Sequence, residues 1–252
     1  MTEAKPSPTA AVLIIGNEIL SGRTQDSNLN VIAKKLFSCG IVLAEARVVP
    51  DIEAEIVAAV NVLRARYTYV FTTGGIGPTH DDITAASLAK AFGLALIEHP
   101  DARKRLEVYY GDKLNPARLR MALTPEGARL IENAVSAAPG FRIGNVFVMA
   151  GVPDIMRAML DSVAGGLAQG PKIHSATIAC ALAESHIADD LTALAANYPQ
   201  LDIGSYPSFR AGKIGLALVV RGTDADGVKA ATAALVALIA AHGGVPVVEG
   251  QS

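Results

Sequence analysis

Along the chain, blocks of unbroken apolar residues alternate with stretches whose apolar positions recur every three or four residues. Short unbroken runs suit strands buried on both faces, and the longer spacing suits helices with one buried face. Residues 10–16 (AAVLIIG) are the first such run, and residues 41–49 and 69–73 contain the second and third. Leu29, Ile32, Ala33, Leu36 and Phe37 mark a helix face that Gly40 closes. Ile52, Ile56, Ala59, Val60 and Leu63 mark another, opening at Asp51. A third helix over 85–92 stops at Gly93, the residue type that best tolerates the left-handed turn after a helix. Residues 94–97 add a fourth strand-like run. Strand alternating with helix in this way predicts an α/β fold with a doubly wound, mostly parallel sheet.

The pattern continues with a charged helix over 100–110 and a short helix that Asn115-Pro116 opens and Pro125 ends. Arg118 and Arg120 on it suit a solvated face or a ligand phosphate. Residues 128–132 and 144–149 read as strands around a loop, and residues 155–163 as a helix after a Gly-Val-Pro-Asp turn. The glycine-rich stretch 165–171 reads as a linker. Beyond it the order changes. Strand 175–182, helix 185–198, strands 202–208 and 214–221, an alanine-rich helix 224–242 and a last strand 245–248 give β-α-β-β-α-β. That order predicts a small α+β, ferredoxin-like unit. The expected organisation is a flexible tail over 1–9, an α/β domain over 10–165 and the small domain over 172–252.

The chemistry concentrates after the third strand, in Thr73-Gly74-Gly75-Ile76-Gly77-Pro78-Thr79-His80-Asp81-Asp82-Ile83-Thr84. Ligands of open parallel sheets bind at the carboxyl ends of strands. Glycines there let a ligand approach the backbone, and the following helix start offers N–H groups to an anion. Asp81 and Asp82 would repel a phosphate unless a divalent cation lies between, the usual arrangement for magnesium. The alternative is that Thr79 or Asp81 caps the helix and Asp82 only favours its positive end. Capping alone does not require Gly74, Gly75 and Gly77. Glu18 and Asp26 follow the first strand. Asp26 suits a cap, whereas Glu18 has no capping role. Asp51 follows the second strand and suits either use. Gln25 and Asn28 fall near the same edge.

Composition narrows the partners. The 252 residues are 51% hydrophobic, so the chain builds a core. A formal net charge of -2 argues against sequence-independent nucleic-acid binding, and the absence of tryptophan argues against stacking platforms. Cys39 and Cys180 stand far apart in apolar surroundings, as buried thiols of a cytoplasmic protein do. No stretch reaches the roughly 20 apolar residues of a membrane span. The five histidines are scattered, so none is assigned to a zinc site.

Gly74, Gly75, Gly77, Pro78, Thr79, Asp82 and Thr84 resemble the loop G-G-x-G-P-T-x-x-D-x-T of the molybdopterin-binding domain family of molybdenum-cofactor biosynthesis. Asp81, which makes the acidic pair, is similar to the competence/damage-inducible protein A branch. Residues 15–28 (IGNEILSGRTQDSN) resemble that branch's first motif, especially in the corresponding domain of bifunctional FAD synthases. Met121-Ala122, Pro125-Glu126-Gly127-Ala128, Ala138-Pro139-Gly140-Phe141, Gly151-Val152-Pro153 and Gly204-Ser205-Tyr206-Pro207 carry the likeness over nearly the whole chain. Asn17 stands where the branch usually has Thr or Asp, and Ala150 where it usually has Pro.

The resemblance implies a three-layer α/β sandwich, self-association into a homo-oligomer, and two chemistries. One is molybdopterin adenylyl transfer, with the acids at Asp51 and Asp82 holding magnesium. The other is hydrolysis of a dinucleotide pyrophosphate such as ADP-ribose or FAD, with Mg²⁺ or a transition metal and K⁺ as a second candidate ion. The expectation is a metal-dependent pyrophosphatase with Asp51, Asp81 and Asp82 catalytic. Glu18, Asp26, Asp81 and Asp82 are the metal candidates. Gly16, Asn17, Gln25, Asn28, Thr73, Gly74, Gly75, Gly77, Pro78 and Thr79 would bind a nucleotide or pterin. Adenylyl transfer to a pterin and a non-catalytic sensor, which Asn17 keeps in play, are the alternatives. Nicotinamide-mononucleotide deamidase and FAD-forming activities are expected to be absent, the chain being too short for their domains. The small domain is expected to carry no chemistry and to support assembly or cover the site.

Overall fold

The computed structural model describes residues 7–210 and 213–251. Most of the tail expected over 1–9 therefore lies outside the described residues. The chain divides into two compact units, Met1–Gly170 and Pro171–Ser252.

In the first unit, β1 (Thr9–Ile15) is followed by α1 (Asn17–Leu20), α2 (Asn28–Ser38), β2 (Val42–Val49), α3 (Glu53–Arg66) and β3 (Tyr69–Thr73). Then come α4 (Thr84–Phe92), β4 (Leu96–Glu98), α5 (Pro100–Tyr110), α6 (Pro116–Leu119) and β5 (Leu123–Pro125). The unit ends with β6 (Arg129–Ile131), β7 (Gly140–Ile143), β8 (Val146–Met149) and α7 (Pro153–Ala164). Six strands form one sheet in the order β2-β1-β3-β8-β7-β6. The first four are parallel, and β7 and β6 continue the sheet antiparallel.

Alternation along the strands builds two cores. Val12, Ile14 and Phe71 point to one face, where Ile32 and Leu36 of α2 and Met156 and Leu160 of α7 cover them. Leu13, Val70 and Val148 point to the other, under Ile56 and Leu63 of α3 and Leu88 of α4. The result is three layers, helix on sheet on helix. Phe71 and Phe147 stack across β3 and β8 with ring centroids 5.0 Å apart. Burying such a ring contributes about 1.5–3 kcal/mol.

Several expectations need correction. The fourth strand-like run is β4, and it leaves the main sheet to pair antiparallel with β5. Its three residues are exposed or half-buried, too little apolar surface for a central strand. β7 was hidden in the supposed loop before residue 144. It forms a hairpin with β8 through Gly144, whose φ of 56° suits glycine. β1 starts at Thr9, α3 at Glu53 instead of Asp51, and the last strand of the chain at Val247.

The second unit contains β9 (His174–Cys180), α8 (Ala188–Ala196), β10 (Asp202–Arg210), β11 (Lys213–Gly222), α9 (Ala225–Ala241) and β12 (Val247–Gln251). Its sheet order is β10-β11-β9-β12, and every pair is antiparallel. This is the arrangement that the β-α-β-β-α-β order predicts. Val228, Ala231, Leu235 and Ile239 of α9 pack on Ile178, Leu218 and Val220. Among the described residues no helix is long and apolar enough to cross a membrane.

Candidate functional site

The register of the parallel strands brings their carboxyl ends level. Ile15 lies beside Val49, Ile14 beside Thr73, and Thr73 beside Met149. The chain leaving each strand is tied to its neighbour. Gly16 N–H donates to the Val49 carbonyl at 3.1 Å, and Gly74 N–H to the Met149 carbonyl at 3.2 Å. Polar residues just past β1, β2 and β3 therefore collect on one edge.

After β2, Asp51 does not cap its own helix. Its Oδ2 accepts from the Asn17 N–H at 2.8 Å, fixing the start of α1 from 34 residues away. No donor among the described residues takes its other oxygen. Glu18 folds back over Gly16, so closely that a Cβ at Gly16 would stand 2.5 Å from Oε1. Asp26 does cap, accepting from the Leu29 N–H at 2.9 Å. Asn28 is buried and donates from Nδ2 to the Gly151 carbonyl at 2.8 Å. Glu18, Gln25, Asp26, Asn28, Thr73, Gly74 and Gly151 line a cavity of about 80 Å³.

The glycine loop is held by its own side chains. Gly74 has φ 101°, and a Cβ there would stand 2.1 Å from the Ile15 carbonyl oxygen, so only glycine lets β1 and the loop approach. Thr84 opens α4 from inside the loop: its N–H donates to the Gly75 carbonyl and its hydroxyl to the Gly74 carbonyl, both at 3.0 Å. Asp82 turns inward. Its Oδ2 accepts from the Thr79 N–H at 2.7 Å and also from the Thr79 hydroxyl. A Cβ at Gly77 would stand 2.6 Å from that same oxygen, so the third glycine makes room for the brace. Neither Thr79 nor Asp81 caps α4, whose first residue carries no side-chain cap. Asp81 points outward and is exposed. Its carboxyl lies below the ordinary value: the largest cause is the Thr79 hydroxyl, whose single hydrogen can turn from Asp82 to Asp81, followed by its own backbone N–H and, more weakly, the charges of His80 and Arg120.

The expected residues thus fall into three linked groups. Gly16, Asn17, Glu18 and Asp51 meet at the ends of β1 and β2. Gln25, Asp26, Asn28, Thr73 and Gly74 meet at the cavity, while Gly75, Gly77, Pro78, Thr79, Asp81 and Asp82 form the loop. Two residues outside the expected set hold these groups in place. Thr84 was visible in the loop motif, and Gly151 in the Gly-Val-Pro turn. Arg118 makes a cation–π contact with Tyr110 and is held at its own helix.

The donor set decides how a metal would fit. Among the described residues, no three His, Cys, Asp or Glu side chains gather around one point. Asp81 and Asp82 are neighbours in the chain, but one points outward and the other is braced on Thr79, so an ion held by them would need phosphate and water oxygens to complete its shell. A cage built from the chain alone is not present among the described residues.

Residues 11–169 match the family described as "Probable molybdopterin binding domain", and residues 172–248 match "FAD synthase, middle domain". A CinA-like protein from Desulfosudis oleivorans is 39% identical over 160 residues, 61% of this chain. This chain spans only 39% of that relative's length. A protein from Archaeoglobus fulgidus is 33% identical over 78% of this chain and 84% of its own. The crystal structure of CinA from Thermoplasma acidophilum, described as of unknown function, superposes with a TM-score of 0.60 at 37% identity. That match covers 64% of this chain and 98% of the other.

Proposed function

We propose, for a chain that belongs to the probable molybdopterin binding domain family, that the first unit is a metal-dependent pyrophosphatase acting on an adenine dinucleotide such as ADP-ribose or FAD. The observation that carries this reading is the loop itself. It sits at the end of β3 with Asp82 braced inward and Asp81 exposed, and the ends of β1 and β3 carry a cavity lined by Glu18, Asp26 and Asn28. The loop glycines let a phosphate approach the backbone, and Asp81 and Asp82 would hold a divalent ion against it. When bound, that ion supplies positive charge for the phosphoryl oxygens as the bond breaks. In the reaction, water oxygen bonds to one phosphorus and the bridging P–O bond breaks. A proton is released, and AMP leaves with the other phosphate half. The residues of this chain position the two phosphates, and Asp51 keeps α1 and Glu18 at the edge of the site through Asn17.

The family description, a probable molybdopterin binding domain, favours a second reading in which the pocket takes a pterin; adenylyl transfer to that pterin is the chemistry proposed with it. A screen of divalent and transition metals, with and without K⁺, against ADP-ribose, FAD and molybdopterin plus ATP decides between them. Release of AMP from a dinucleotide only with added metal is the expected result. Pterin adenylylation without dinucleotide hydrolysis would reverse the order, and ligand binding without turnover under every metal would leave a sensor. The second unit is proposed to carry no chemistry, and the chain to act as a cytoplasmic homo-oligomer.

A further inference from the structure

We propose that Asn28 is a specificity residue of this site, its Oδ1 accepting a hydrogen bond from an exocyclic amino group on the ring of a bound nucleotide or pterin. The inference rests on the reading of this edge as a nucleotide or pterin site, and it assigns one contact within it.

Asn28 is 4% exposed, and its two amide atoms have different fates. Nδ2 is committed to the Gly151 carbonyl at 2.8 Å, which sets the orientation of the amide. Oδ1 is fully buried and meets no donor. Buried acceptors are nearly always paired, and one left unpaired costs about 1–3 kcal/mol. The residue lines the cavity between β1, β3 and the Gly151 turn, so the missing donor arrives from there.

The surroundings select the donor. Asp26 has one oxygen on the Leu29 N–H and the other without a donor among the described residues, and the Glu18 carboxylate lines the same cavity. Thr24, Gln25 and Ser27 line the cavity too, and among the described residues none of them donates to Oδ1. An amino group has two hydrogens and can satisfy Oδ1 and a neighbouring carboxylate together, whereas a hydroxyl has one. The volume, about 80 Å³, admits the tip of a ring and not a whole one. The cavity thus reads a substituent while the rest of the ligand lies outside it. Adenine and pterin both carry such a group, and the shared chemistry is what Asn28 recognises.

Equilibrium binding in the presence of Mg²⁺ tests this without turnover. AMP is compared with purine riboside 5′-monophosphate, and 2-amino-4-oxopteridine with 4-oxopteridine. Each pair differs only in the amino group. The unaltered protein is expected to prefer the amino-bearing member of at least one pair by about 10-fold. Asn28→Ala should bring that ratio close to 1. Asn28→Asp, which keeps an acceptor, should preserve the ratio even if both affinities fall through loss of the Gly151 contact. A purely structural Asn28 would weaken both members equally and leave the ratio unchanged in every variant, which overturns the proposal. A ratio near 1 in the unaltered protein also overturns it, and assigns the buried oxygen to water or a hydroxyl. So does the absence of measurable binding by either pair. Which pair discriminates identifies the ring. Discrimination in a protein that never hydrolyses a dinucleotide would leave Asn28 as assigned while the pyrophosphatase reading fails.

Discussion

The two units use similar elements and differ in where their polar residues go. In the first, β1, β2, β3 and β8 run the same way, so the segments leaving these strands meet at one edge. In the second, neighbouring strands run opposite ways, so the segments leaving them are shared between two edges. The polar groups of the second unit satisfy one another locally: His242 with Asp190 at 2.8 Å, Arg221 with Asp202 at 3.7 Å, and Ser205 with Glu184. The first unit leaves Asn28 Oδ1 without a donor and Asp81 facing outward. Parallel topology concentrates unsatisfied chemistry, and antiparallel topology disperses it.

The strongest test removes one charge from the concentrated edge. Asp82→Asn should lower turnover by about 10²-fold or more, comparable with losing a strong electrostatic stabiliser. The fold should survive, because an Asn carbonyl oxygen can still accept from the Thr79 N–H and hydroxyl. Steady-state rates and circular dichroism on the same sample measure both. Activity close to normal would reduce Asp82 to a loop brace and erase the contrast between the units.

Next is the contact that makes the edge level. Gly74→Ala places a Cβ against the Ile15 carbonyl oxygen at a φ of 101°. Overpacking and backbone strain together predict a loss of about 2 kcal/mol or more in urea unfolding of the first unit. An unchanged midpoint would mean that β1 and the loop can separate without penalty.

A smaller effect concerns Asp81. The Thr79 hydroxyl is the main reason its carboxyl lies below the ordinary value of 3.8. Thr79→Ala should raise the titration midpoint of Asp81 toward that value, followed by NMR of the side-chain carboxyl carbon. The sign is that of a depressed acid: any stabilisation from ionised Asp81 is present above the unfolded-state pKa and is lost as pH falls through the lower folded-state pKa. Without the hydroxyl, that loss moves up to a less acidic pH. A midpoint that does not move would place the cause elsewhere.

Much of the first unit could be read from the chain, and the reasons are local. Unbroken apolar runs gave β1 and β3, and Gly93 ended α4 with φ 65° as its residue type demands. Asp26 and Asn115 cap as their positions suggest. What was hidden depends on distant partners. Asp51 looks like the cap of the next helix and instead holds Asn17, because only the sheet register brings β2 beside β1. Asp82 looks like a free metal ligand, yet one of its oxygens belongs to Thr79. β7 was obscured because four residues between two turns carry too short an alternation. Thr84 and Gly151 were in view as motif letters, and their roles as ties between loops appear only in three dimensions.

The smallest expected effect is none at all, and it bears most directly on the second unit. Tyr206 sits in a Gly-Ser-Tyr-Pro segment of β10, 49% exposed, the kind of residue that sequence motifs make suspicious. Its ring lies over Gly204, where a Cβ would stand 2.8 Å from Cε2, so the glycine serves the packing of the tyrosine. Its hydroxyl has no hydrogen-bond partner among the described residues, and it stands opposite Ala217 in the sheet. A ring that packs on its own strand needs the phenyl group and not the oxygen. Tyr206→Phe should therefore leave turnover within about twofold and stability within about 0.5 kcal/mol, as for exposed positions without special contacts. Metal-dependent AMP release and thermal unfolding, measured side by side, check both. A variant that folds and assembles normally yet loses turnover would show that dispersed, antiparallel chemistry reaches the reaction after all.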